Sequence, residues 1–136
     1  MQQINSKGIT PLDRELPLLN APFHGLDQHL IDSHELALEF PHATDGRGFS
    51  AAVRLRNDFA YKGRIWAWGH VLPDQWHNLV ETGFDGVILH DDHFQRHGRD
   101  AWLSAIHSQP VYYPVAQTRF ASQWWSNGLF SYPLGA

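Results

Sequence analysis

Strand-like and helix-like segments alternate along the middle of the chain, and this alternation constrains the fold more than any other feature. Four segments carry the apolar patterns of strands: residues 34–41, 64–70, 84–91 and 110–117. Segments with apolar residues at helical spacing separate them. Because such alternation is typical of right-handed βαβ crossovers, we predict an α/β fold with a small, single-domain parallel sheet of about four strands. An open sheet and half of a closed barrel both fit this order.

The predicted α/β domain covers residues 31–118 and lies between two segments of different composition. Residues 1–30 begin with a polar stretch and contain three prolines, so we predict an extended or poorly ordered N-terminal arm. Residues 119–136 form a C-terminal tail rich in aromatic residues. The length of 136 residues suits one domain.

Composition excludes several classes of site and partner. The chain has no cysteine, which excludes disulfides, thiolate-bound metals and cysteine catalysis. Its net charge of −4 argues against nucleic-acid binding, and no apolar run reaches the roughly 20 residues that span a bilayer. The N-terminus lacks the pattern of a secretion signal, so we predict a cytoplasmic protein. No nucleotide-binding or nucleophile-elbow motif is present, and we predict no cofactor.

A short loop with two glycines around an arginine follows the first predicted strand. In a parallel sheet, ligands bind beside the carboxyl ends of the strands, where this loop would lie. Gly46 and Gly48 allow a tight turn, and Ser50 is a candidate cap for the next helix. With the Arg47 guanidinium, the free amides of that helix start predict a site for a small anion. The alternative is a capped turn in which Asp45 and Arg47 pair with each other or with neighbouring loops.

The loop after the second strand extends this predicted edge. It brings a glycine, a histidine and two polar side chains to the place where the first loop should lie. We therefore assign an anion-binding or functional surface to residues from both loops: Thr44, Asp45, Gly46, Arg47, Gly48, Ser50, Gly69, His70, Asp74 and Gln75.

The loop after the third strand is rich in histidine and aspartate. His93 and His97 would share a helix face, and with His90 and neighbouring carboxylates they could bind zinc, iron or manganese. The spacing matches no complete ligand motif such as H-E-x-x-H. We therefore favour a solvated loop with acidic residues at a helix start, and we predict no metal.

Three stretches, "LEFPHATDGRGFSAAVRLR", "YKGRIWAWGHVLPDQ" and "GFDGVILHDD", together resemble the bacterial family called domain of unknown function 934. The resemblance covers residues 32–117, and "FP-x-x-TDGRG-[FY]S" is its most specific motif. Family members are labelled as probable oxidoreductases involved in sulfite reduction, a label based on genes beside that of the sulfite reductase haemoprotein. His70 replaces an acid that is usual at this position in the family.

The resemblance implies a setting in assimilatory sulfite reduction, with the sulfite reductase haemoprotein as a candidate partner. Our first hypothesis is an accessory protein that binds a small anion or the reductase at the carboxyl edge of the sheet. The second is an enzyme with an acid–base pair from Asp45, His70, Asp74 and His90. The third is a non-catalytic interaction module that forms a homodimer.

Overall fold

The computed structural model describes residues 1–21, 23 and 33–108. The predicted strand at 110–117 and the predicted tail at 119–136 lie outside the described residues.

Three parallel strands form the centre of the sheet, in agreement with the predicted α/β class. They are β4 (Glu35–Phe40), β5 (Arg64–Gly69) and β6 (Gly86–Leu89). Strand β5 lies between β4 and β6, and both of its pairings are parallel. Their carboxyl ends therefore meet at one edge of the sheet.

The described part of the chain contains four α-helices. They are α1 (Arg47–Asn57), α2 (Trp76–Thr82), α3 (Asp91–His97) and α4 (Arg99–His107). A 3-10 turn at Pro73–Gln75 leads into α2. None of the helices within these ranges is long and apolar enough to cross a membrane.

The N-terminal residues add three strands that the sequence pattern does not predict. Strands β1 (Gln2–Asn5) and β2 (Gly8–Pro11) form an antiparallel hairpin, and β1 also pairs antiparallel with β6. Strand β3 (Leu18–Leu19) pairs parallel with β4 at the other side. The described part of the sheet has six strands and is mixed, in the order β2-β1-β6-β5-β4-β3, so the prediction of a purely parallel four-stranded sheet is wrong.

The two faces of the sheet bury separate apolar clusters. Residues that alternate along the strands point to opposite sides. The face that packs against the helices holds the larger cluster, which includes the fully buried strand residues Ile4, Leu36, Leu38, Phe40, Ile65, Ala67, Val87 and Leu89. On the other face, Ala37, Trp66 and Ile88 form a small second cluster.

A connecting segment, residues 12–17, covers the second cluster; we call it the strap. It runs from β2 at one side of the sheet to β3 at the other, and two of its leucines pack on the cluster. Arg14 fixes the strap, because its Nε and Nη2 each donate a 2.7 Å hydrogen bond to the Glu35 carboxylate. The guanidinium also lies 5.6 Å from the centre of the Trp66 ring. Within the described ranges, the strap and not a helix packs on the second cluster.

Candidate functional site

Three segments that follow β4, β5 and β6 form one surface at the carboxyl edge of the sheet. We call residues 41–47, 69–75 and 90–97 the carboxyl rim.

Gln75 joins the first two segments, because its Nε2 donates a 2.8 Å hydrogen bond to Ala43 O while its Oε1 accepts one from Leu72 N. His93 joins the last two, because its Nε2 lies 2.7 Å from Val71 O. Since a carbonyl oxygen only accepts, that nitrogen carries the proton.

Asp45 and Arg47 form a closed pair at the start of α1. The Asp45 carboxylate accepts hydrogen bonds from the Arg47 backbone N at 3.0 Å and from the Arg47 Nε at 2.9 Å, and Nη2 binds its second oxygen. These hydrogen bonds lower the pKa of Asp45 to about 2. The structure therefore matches the alternative interpretation, a capped turn in which Asp45 and Arg47 bind each other.

The two glycines beside Arg47 have different environments. Gly48 is buried, and a Cβ at this position would lie 2.5 Å from the Phe40 ring, so glycine permits close packing of α1 on β4. Gly46 is exposed, and a Cβ there would meet no atom within 4 Å. Packing therefore requires glycine at position 48 but not at position 46.

Ser50 does not cap the helix, so that part of the sequence prediction is wrong. Helix α1 begins at Arg47, and Gly46 is its N-cap residue without a side-chain cap. Ser50 is exposed one turn into the helix, and its backbone N bonds to Gly46 O. Asp45 satisfies the first free amide instead, because its carboxylate accepts from Arg47 N.

The second rim segment begins with a glycine that the backbone requires. Gly69 has a φ of +115°, and a Cβ on it would lie 2.8 Å from Phe40 O. The next residue, His70, donates its backbone N–H to the same oxygen at 2.9 Å. The His70 side chain is exposed, as are Thr44 and Asp74. Glycine at 69 therefore sets the direction in which His70 leaves the sheet.

A row of three imidazoles extends from the second rim segment to the third. The His70 and His93 ring centres are 5.5 Å apart, and the His93 and His97 ring centres are 5.3 Å apart. His93 Nδ1 is buried and has no hydrogen-bond partner in the described part of the chain. The predicted helix-start acids are confirmed, because two aspartates lie in the first turn of α3, but the segment after them is helical and not a loop. His90 lies apart from the row, 6.4 Å from the Trp68 ring centre.

Two arrangements that the sequence suggested as hypotheses are absent from the described part of the rim. One is a group of side chains that could bind a metal ion, and the other is a histidine hydrogen-bonded to a carboxylate for acid–base catalysis. Among the residues that the structure covers, no group of three or more His, Asp or Glu side chains is arranged to hold a metal ion. Within the same ranges, no hydrogen bond joins a rim histidine to a carboxylate. His70 contacts His93, and Asp45 contacts Arg47.

The contacts that hold the rim together are the features that sequence reasoning missed. Gln75 was a candidate site residue, but its role is to bind the backbone of the first segment. The spacing of His93 and His97 was the one local signal for the imidazole row, and it gave no indication of His70 as the third member.

A family model described as a bacterial protein of unknown function, DUF934, matches residues 20–122. The matched region includes all three segments of the carboxyl rim. No curated protein and no solved structure matches the chain.

Proposed function

The chain belongs to the DUF934 family of bacterial proteins of unknown function, and we propose that it is an accessory protein of assimilatory sulfite reduction that binds the sulfite reductase haemoprotein through the carboxyl rim. The metabolic setting comes from the family resemblance of the sequence motifs. The choice of surface comes from the geometry of the rim.

Two side chains hold the three rim segments in one arrangement, and this observation supports the proposal. The Gln75 bond to Ala43 O and the His93 bond to Val71 O connect all three segments. A surface that is already ordered loses less conformational entropy when a partner binds. Several polar side chains remain exposed on it and are available for contacts: His42, Thr44, Arg47, His70, His90 and His97.

A protein partner fits this surface better than a free anion does. The sequence analysis predicts that Arg47 binds a small anion. In the structure, the Asp45 carboxylate already compensates the charge of this guanidinium. An anion at this position would have to compete with a carboxylate that holds the guanidinium through two oxygens. A protein surface can instead contact the exposed histidines without displacing Asp45.

Binding to the immobilised haemoprotein subunit, measured by biolayer interferometry, tests this proposal. We expect the double variant His70→Ala/His97→Ala to bind at least about tenfold more weakly than the wild type, because exposed contact side chains are removed from the middle of the rim. Lys62→Ala is the control, since Lys62 is exposed at the other end of the sheet. Absence of wild-type binding, or equal affinities of wild type and double variant, would overturn the proposal.

The other two hypotheses have less support. Hydrogen bonds from Arg47 lower the pKa of Asp45 to about 2, which makes this carboxylate a weaker base than an ordinary one and weakens its case as a member of an acid–base pair. Formation of a homodimer and a cytoplasmic location stay predictions from the sequence.

A further inference from the structure

A cavity of about 240 Å³ lies at the opposite end of the sheet, where β5 and β6 begin. The turn between β1 and β2 forms one wall, because Asn5 pairs with Gly86 at the start of β6. We call it the amino-end cavity, and its lining residues are Asn5, Ser6, Lys7, Arg64, Trp66 and Asp85.

Two cationic side chains of this cavity have no bound partner. Lys7 and Arg64 are exposed, and neither forms a side-chain hydrogen bond or ion pair within the ranges that the structure describes. Arg14 and Arg47, in contrast, are each held by a carboxylate. Arg64 acts on Glu35 only as the smallest cause of that residue's lowered pKa, so among the described residues no direct contact compensates these two cations.

The one carboxylate in the cavity is already engaged. Asp85 Oδ2 accepts hydrogen bonds from Arg56 Nη2 at 3.0 Å and from Ile65 N at 2.9 Å. Arg56 thus compensates the charge of Asp85. The lining residues carry two cations and one anion, so their net charge is positive, whereas the chain as a whole has a net charge of −4.

The neutral lining residues add hydrogen-bond donors. Asn5 Oδ1 accepts from Lys7 N at 2.8 Å, which identifies the other side-chain atom as the NH₂ donor. Ser6 contributes a hydroxyl group. The Trp66 indole N–H is already bound to Glu35 at 2.9 Å, so the indole contributes only an apolar wall.

We infer that the amino-end cavity binds a small inorganic oxyanion between the Lys7 ammonium and the Arg64 guanidinium. The negative charge of the whole chain disfavours general anion attraction, so binding depends on this local pair. The cavity and the carboxyl rim lie at opposite ends of the strands. Anion binding in the cavity therefore does not depend on the proposed reductase partner.

Calorimetric titration with phosphate, sulfate and sulfite, each at constant ionic strength, tests the inference. The wild type should show saturable binding of at least one of them. Lys7→Gln/Arg64→Gln should raise the dissociation constant at least about tenfold, because two charged donors are lost. Lys62→Gln/Arg99→Gln removes the same two residue types from exposed positions outside the cavity and should leave the dissociation constant unchanged.

Chemical-shift mapping on the wild-type protein provides a second measurement that needs no variant. The titrated anion should shift the amide signals of residues 5–7 and 64–66. Absence of saturable wild-type binding, equal affinity of the Lys7/Arg64 variant, or shifts confined to Arg47 and the start of α1 would each overturn the inference.

Discussion

Arg56 in α1 and Asp85 before β6 meet at the amino end of the sheet, with 3.0 Å between Arg56 Nη2 and Asp85 Oδ2. The other N–H groups of this guanidinium donate to the carbonyl oxygens of Tyr61, Gly63 and Gly83. One side chain thus holds the turns before β5 and β6 against the first helix. It acts as a structural anchor rather than as a free cation.

Replacement of Arg56 should therefore destabilise the whole domain. In Arg56→Ala several carbonyl groups and the Asp85 carboxylate lose their donor, and we expect a loss of about 3 kcal/mol in the free energy of unfolding. Denaturation by urea measures the difference. Arg54→Ala is the control on the same helix, because its pair with Asp58 at 3.8 Å is exposed, and it should cost less than about 1 kcal/mol. Equal losses in both variants would contradict the anchoring role.

The two glycines around Arg47 should differ in their tolerance of a methyl group. Gly48→Ala places a Cβ 2.5 Å from the Phe40 ring, so we expect a loss of about 1–3 kcal/mol in the free energy of unfolding. Gly46→Ala meets open space and should change it by less than about 1 kcal/mol. Thermal denaturation of the two variants side by side measures this contrast. A larger effect at Gly46 would show that the packing of α1 on β4 is wrongly assigned.

The parallel centre of the sheet is predictable because its signals are local. Leu36, Leu38 and Phe40 alternate along β4, and Gly83 ends α2 with a φ of 109°, as expected for a helix C-terminus. The N-terminal strands have no such signal. Pro11 and Pro17 indicate chain breaks, and the partner of β1 is β6, which is far along the chain. The pairing of β1 with β6 and the burial of Ile4 are tertiary features that the local sequence does not indicate.

The candidate site shows the same division between local and distant contacts. The pairing of Asp45 with Arg47 could be anticipated as an alternative, because the two residues are close in sequence and opposite in charge. The bond of Gln75 to Ala43 O could not, because it depends on how two loops are placed by neighbouring strands. The identity of residues at the carboxyl edge is therefore predictable, whereas their roles depend on the tertiary structure.

The Asp45–Arg47 pair should make stability depend on pH in the acid range. The folded-state pKa of Asp45 is lowered to about 2, from an ordinary value of 3.8. The carboxylate therefore contributes its stabilisation above about pH 4 and loses it as the pH falls through about 2. The difference in unfolding free energy between wild type and Asp45→Asn should decrease across this range. A difference that stays constant from pH 4 to pH 2 would contradict the pairing.

Arg14 should control the order of the strap. Hydrogen bonds from Arg14 are the main cause of the lowered pKa of Glu35, and partial burial opposes them. In Arg14→Met the strap loses its attachment, and we expect faster amide hydrogen exchange in residues 12–17 and a higher pKa of Glu35. Arg99→Met, an exposed position outside the strap, is the control. Unchanged exchange in the strap would mean that its leucines and the backbone hydrogen bonds at its two ends hold it on the sheet without Arg14.

Hydrogen exchange of the chain in the presence of the sulfite reductase haemoprotein tests the contact that we propose for the carboxyl rim. We expect slower amide exchange in residues 41–47, 69–75 and 90–97, because all three segments belong to the proposed contact surface. Residues 5–8 and 62–64 at the other end of the sheet should exchange at an unchanged rate. Protection confined to those amino-end residues or to the strap, with the rim unaffected, would contradict the proposed contact between the rim and the haemoprotein.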